Sequence, residues 1–265
     1  EVIIGLETHI QLNTQTKIFC SCKADSWGAA PNTNICPVCS GMPGVLPVLN
    51  SEAVHKGSLL AVAMHAEINP VSHFDRKNYF YPHLPKGYQI SQFDQPLATG
   101  GVIDVGPDAD GMPRPIGITR VHMEEDAGKS VHDRFEAWTA IDLNRTGTPL
   151  VEIVSEPDLR SAQDAGSYLR QLKQILEFTA VSDANMEEGS LRVNVNISVR
   201  PRGTTALGTK TEIKNLNTFS GVERSIEIEF ARQCAVLASG GAIVQQTMLW
   251  DGARNEIRPA RSKEG

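Results

Sequence analysis

The sequence predicts an α+β fold in which a mixed, largely antiparallel sheet is backed by helices on one face. Two observations carry this expectation. Several segments alternate apolar and polar residues with the period of a strand, most cleanly Ser190 to Arg200, and two longer segments repeat apolar residues at helical spacing. A third observation is local. Cys20-x-Cys22, thirteen residues, then Cys36-x-x-Cys39 gather four of the five cysteines into two close pairs.

From the N-terminus, Val2, Ile4, Leu6, Ile10 and Leu12 point one way and Glu7, His9 and Gln11 the other, so one strand sets a carboxylate beside an imidazole. After the cysteine loop, Asn50 or Ser51 caps a helix running to about Ala66, with Val54, Leu59, Leu60 and Val62 expected on its buried face. Phe74 to Pro82 and Gly87 to Phe93 read as extended, and Gly106 to Pro115 as an exposed hairpin tip. Ile116 to Glu125 and Trp138 to Asn144 are further strands, and Arg145-Thr146-Gly147 turns the chain into Leu150 to Ser155. Ser161-x-x-Asp164 starts an amphipathic helix that carries Ala165, Tyr168, Leu169, Leu172, Ile175 and Leu176. A second helix spans about Phe219 to Ala238 with Phe219, Val222, Ile226, Phe230 and Leu237 in its stripe, and ends at Gly240-Gly241. Cys234 falls in that stripe and reads as packing.

The two cysteine pairs can supply the four tetrahedral thiolates that zinc prefers, so a zinc knuckle is expected over about residues 18–42. Paired disulfides or unrelated thiols are the alternatives. Disulfides are disfavoured because nothing resembling a signal peptide precedes them. Four thiolates close the coordination sphere, so such a zinc is structural and chemistry lies elsewhere.

With 40% hydrophobic and 21% charged residues over 265 positions, the chain can bury a large core. Its apolar runs are too short to span a bilayer, and a net charge of -6 argues against a general nucleic-acid glove. Glu1 lies inside a strand-like pattern and Arg261 to Gly265 carry no terminating signal, so both ends are expected to continue.

Acidic residues recur at strand-like positions: Glu7 with His9, Glu124-Glu125-Asp126, Glu152, and Glu187-Glu188. Carboxylates gathered on a sheet face repel one another unless a cation or solvent compensates, and oxygen ligands with one imidazole suit Mg²⁺ or Mn²⁺. Arg76, Lys77, Arg120, Arg192, Lys210 and Lys214 add positive charge nearby. Acidic metal ligands with basic clamps are the parts of phosphoryl transfer. The usual phosphate loop is missing: Gly128-Lys129-Ser130 ends like one, but Met123 stands at the upstream glycine position.

Longer words in the sequence resemble a known family. Ile4-Gly5-Leu6-Glu7-Thr8-His9, the segment Phe74 to Pro82, the segment His122 to Lys129, Asp142-Leu143-Asn144-Arg145, Glu152 to Asp158 and Met186 to Arg192 are similar to the B subunit of the aminoacyl-tRNA amidotransferases that make Gln-tRNA and Asn-tRNA. The resemblance implies a catalytic cradle domain over residues 1–265, similar in fold to the glutamine synthetase catalytic domain, without the family's C-terminal helical and tail domains. It implies ATP-dependent phosphorylation of the side-chain carboxylate of Glu or Asp misacylated onto tRNA, then amidation by ammonia. It places Mg²⁺ on Glu7, His9, Glu125 and Glu152 with Glu124 as a neighbour, makes Glu125, Lys77 and Arg192 the catalytic set, and leaves the ATP-binding residues open. Its implied partners are a glutaminase A subunit, a small C subunit and the tRNA acceptor end, in a bacterial-type cytoplasm without a membrane. His83 and Asn194 stand where the family commonly has Asp, which weakens a metal role for the strand of Asn194. A zinc-stabilised scaffold or RNA-contact module without catalysis is the rival reading.

Overall fold

The computed structural model describes residues 1–108, 110–132 and 134–260. In chain order its elements are β1 (Val2–Gln11), α1 (Ser51–Ala63), β2 (Glu67–Ile68), β3 (Asp75–Asn78), β4 (Tyr88–Ser91), β5 (Ala98–Thr99) and β6 (Val102–Pro107). There follow β7 (Pro113–Glu125), β8 (Lys129–Val131), β9 (Ala140–Asp142), β10 (Pro149–Ser155), α2 (Ala162–Thr179), β11 (Leu191–Val199), β12 (Thr211–Leu216), α3 (Phe219–Ala238), β13 (Thr247–Asp251) and β14 (Glu256–Pro259). Residue 109 of the expected hairpin tip and residues 261–265 at the C-terminal end lie outside the described residues.

Twelve strands form one sheet whose spine runs β14-β13-β12-β11-β1-β10-β7-β4-β3, while β8 and β9 pair separately. Among the described pairings only β12 with β13 is parallel, so the sheet is mixed and largely antiparallel. The N-terminal strand is central. β1 pairs along its length with β11 on one side and β10 on the other.

Strand period fixes two faces. Ile4, Leu6 and Ile10 of β1, Val151 and Ile153 of β10, Val121 and Met123 of β7, and Val193, Val195 and Ile197 of β11 share one face by register. These side chains are buried with α1, α2 and α3 in one hydrophobic core. The opposite face carries Glu7, His9 and Gln11 beside Glu152, His122, Glu124, Arg192, Asn194 and Asn196.

Each helix begins on a side-chain cap: Asn50 accepts from the Glu52 amide, Ser161 from Asp164 and Thr218 from Gly221. α2 buries the expected Ala165, Tyr168, Leu169, Leu172 and Leu176. α1 buries only part of what was expected: Leu60 is in the core and Val54 packs against it. Leu59 and Val62 are exposed, while Ala53, Gly57, Leu60 and Ala61 face the core. The small residues let the helix axis approach the sheet, and a Cβ at Gly57 would lie 2.9 Å from Leu97 Cδ2.

In α3 the turned-in face includes Val222 and Ile226 together with Ser225, Glu229 and Gln233. Glu229 accepts from Thr211, Arg232 and Gln233, so its buried carboxylate is saturated. That polar stripe rotates Phe230, Leu237 and Cys234 outward, and Cys234 is exposed rather than packed in the core. Glu187 and Glu188 also depart from expectation: they lie exposed in a turn, their amides bonded to Asn185 Oδ1, not on a strand.

Candidate active site

A row of side chains crosses the open face from Arg192 on β11 through His9 on β1 and Glu152 on β10 to His122 on β7, one residue per strand in register. Glu124 follows His122 two residues later on the same face. His9 Nε2 lies 3.5 Å from Glu124 and 3.6 Å from Glu152, and ligand atoms of the three all fall within 4.8 Å of one another. Adjacent ligands of an octahedral Mg²⁺ or Mn²⁺ sit about 3 Å apart when each is about 2.1 Å from the ion. The spacing is within reach of such an ion, and two carboxylates with one imidazole suit a hard divalent one.

Neighbours hold these groups in place. His122 Nε2 meets Glu152 Oε2 at 2.8 Å, and Ser91 Oγ lies 3.3 Å from Glu124 Oε2. Burial and the Glu152 charge push the Glu124 carboxyl up to about 8. Burial alone would raise Glu152 too, but the His122 hydrogen bond and the charges of His9, His122 and Lys77 hold it at about 2. Burial draws His9 down to about 4 despite Glu152, leaving a neutral imidazole whose lone pair can serve a ligand role.

Asp126 ends the cluster. It accepts from Gln11 at 2.8 Å and from Arg192 at 2.9 Å, with Arg145 at 3.5 Å. Burial opposes its charge, yet Arg192 and Arg145 hold it below the ordinary aspartate range. Arg192 is in this way pinned beside His9. Lys77 stands exposed on β3, on the same side as Glu124 through the pairings Lys77 with Gln89 and Ser91 with Glu124. Its charge reaches both Glu124 and Glu152.

Two residues expected as ligands do not join the triad. Glu7 faces the same way as His9 but is bound by Asn196 Nδ2 at 3.0 Å, beside a cavity of about 280 Å³ that also includes Lys210. Glu125 is turned to the helix-backed face, because consecutive residues of a strand point to opposite sides and Glu124 already occupies the open one. There it pairs with Lys86 and accepts from the Ile90 amide at 2.9 Å. His122 is the converse case. It carries no expected role, although His122-x-Glu124 repeats the spacing of Glu7-x-His9.

The cysteines converge as well. Cys20, Cys22, Cys36 and Cys39 bring their sulfurs within 4.8 Å of one another, and the Cys36 and Cys39 sulfurs lie 3.8 Å apart. A tetrahedral ion with Zn–S bonds of about 2.3 Å requires about 3.8 Å between sulfurs. The cluster fits a zinc site.

Residues 2–265 match the model of the GatB/GatE catalytic domain. The chain belongs to the GatB/GatE family. It is 54% identical over 264 residues to the B subunit of the aspartyl/glutamyl-tRNA(Asn/Gln) amidotransferase of Caldicellulosiruptor saccharolyticus, covering 100% of this chain and 54% of the relative. The corresponding protein of Moorella thermoacetica is 53% identical, with 100% and 55% covered. That of Thermosynechococcus vestitus is 55% identical, with 100% and 54% covered. The chain thus spans about half the length of these GatB relatives. No helix among the described residues is long and apolar enough to cross a membrane.

Proposed function

We propose that this GatB-family domain activates and amidates the side-chain carboxylate of Glu or Asp misacylated onto tRNA. A carboxylate oxygen is a poor leaving group, so it must first attack the terminal phosphorus of ATP. A new P–O bond then forms as the bond to ADP breaks. Ammonia next adds to the acyl carbon and phosphate departs, leaving the amide. The observation that carries this reading is the His9, Glu124 and Glu152 triad flanked by Lys77 and Arg192 on an open sheet face.

His9, Glu124 and Glu152 would hold Mg²⁺, which when bound neutralises charge on the transferring phosphate. Lys77, exposed on the same side of the sheet, adds its positive charge to that of the site. Arg192, fixed by Asp126, offers its guanidinium beside the imidazole. Glu125 takes no ligand role in this reading; its pairing with Lys86 braces the end of β7 that presents Glu124. Glu7, with Asn196, would bind an outer part of the substrate or nucleotide.

The same reading makes the chain a single glutamine-synthetase-like catalytic cradle with a structural zinc in its four-cysteine loop. The triad itself offers no nucleophile of the kind a glutaminase needs. Ammonia would therefore come from a partner A subunit, with a small C subunit completing a cytoplasmic assembly. The test is Glu124→Gln in the complete complex, assayed for ATP-dependent phosphorylation of Glu-tRNA and for glutaminase activity. Loss of the first with retention of the second is expected. Unchanged phosphorylation would leave the domain a scaffold.

A further inference from the structure

Lys17 is fully buried, at 0% exposure, in the segment between β1 and the cysteine loop. Its ammonium donates to the Asn34 carbonyl at 2.8 Å and lies 3.5 Å from Cys39 Sγ. Among the described residues no carboxylate forms an ion pair with it. The buried acid Glu125 is taken by Lys86. An ammonium removed from water without a counter-charge is strongly disfavoured, and one carbonyl dipole does not replace that charge.

The stem of Lys17 is as constrained as its head. Its amide donates to the Cys22 carbonyl at 2.9 Å, and the position a Cβ would take at Gly147 is 3.5 Å from Lys17 Cδ. Gly147, whose left-handed φ of 83° favours glycine, packs against both the Lys17 stem and Cys39. The chain thus delivers a positive charge into the cysteine cluster, in addition to the backbone donor Cys36 N, which reaches Cys39 Sγ at 3.2 Å.

Four thiolates around a divalent ion leave a net charge of about −2, and Cys39, which Lys17 meets, is the buried one of the four. We infer that Lys17 is the counter-cation of the four-cysteine metal centre: its ammonium bonds the Cys39 thiolate, halves the net charge of the loaded cluster, and so sets the metal affinity of the loop. This rests on the zinc reading above. Lys17 is a positioning and charge-compensating residue that does not touch the metal. Removal of such a partner typically weakens metal binding about 10- to 100-fold.

The experiment uses the intact subunit loaded with Zn²⁺ and titrated against a chromophoric chelator, for the parent, Lys17→Met, Lys17→Gln and, as an exposed control in the same loop, Lys23→Met. Lys17→Met and Lys17→Gln should each lose about 10- to 100-fold in zinc affinity, and Lys23→Met less than about twofold. With Co²⁺ in place of Zn²⁺, the sulfur-to-metal charge-transfer band should move to lower energy in the two Lys17 variants, because a thiolate that has lost an N–H donor gives up its electrons more easily. A parent that binds neither ion defeats the zinc reading itself. A parent that binds, with folded Lys17 variants matching it in affinity and spectrum, overturns the role of Lys17 alone. A variant that folds only with excess zinc supports the inference, whereas one unfolded at every zinc concentration makes Lys17 a packing residue and overturns it.

Discussion

Binding of a divalent cation at His9, Glu124 and Glu152 should release close to one proton per ion between pH 5 and pH 7, and about half of one at pH 8. Of the three groups, His9 is neutral above about 4 and Glu152 ionised above about 2, while Glu124 keeps its proton up to about 8. A ligand must shed its proton before it can coordinate. With a midpoint near 8, about one Glu124 in ten is ready at pH 7 and about one in a hundred at pH 6. Apparent Mn²⁺ affinity should therefore fall about fivefold from pH 8 to pH 7 and about tenfold for each unit below that, measured by the free-ion paramagnetic signal at fixed ionic strength. Stability of the ion-free fold runs the other way. The raised carboxyl holds a proton in the folded state that the unfolded chain has lost, so the contribution of Glu124 to stability is fully present below about 4.5 and is lost as pH climbs through about 8. Saturating Mn²⁺ should cancel that loss. An affinity constant within about twofold from pH 6 to pH 8 would refute the reasoning, as would a midpoint near 6.5 set by an ordinary histidine.

Other substitutions separate the two faces of β7. Glu125→Gln leaves the buried Lys86 ammonium without its partner and should cost about 3–5 kcal/mol in denaturant unfolding while Mn²⁺ still binds. Glu124→Gln should do the reverse, abolishing Mn²⁺ binding with stability at neutral pH retained or improved. Gly57→Val would drive side-chain carbon into Leu97 and is expected to lower stability by about 1–3 kcal/mol, read from the thermal midpoint. Stripping zinc with a chelator should speed proteolysis between Lys23 and Asn34, since that stretch has no strand or helix of its own; equal cleavage rates with and without chelator would dismiss the metal as its organiser.

The sheet was most legible where polar and apolar residues alternate without interruption. β1 and β11 follow that alternation, and their register places His9 beside Arg192. α2 was equally legible, because its cap and stripe agree. α1 was not: apolar size suggested Leu59 and Val62, whereas close approach to the sheet demands the small Ala53, Gly57 and Ala61. The position of Glu125 could have been read from its own strand, since buried Val121 and Met123 put Glu125 on the core side and His122 with Glu124 on the other. Resemblance of short words identifies a family without saying which way a side chain faces. β12 to β14 left weaker traces, being short and flanked by loops, and the polar lining of α3 could not be distinguished in sequence from a solvated surface until Thr211 was seen to meet Glu229.

The place of β1 has a consequence for biosynthesis. β1 is seated between two strands that leave the ribosome roughly one hundred and fifty and two hundred residues after it, with Glu7 opposite Val154 and Val2 opposite Val199. Until both arrive, an apolar ribbon waits with both hydrogen-bonding edges bare, open to pairing with a neighbouring chain. Shielding of nascent β1, by a chaperone or by slow release, should govern the yield of this domain more than any feature of β13 or β14.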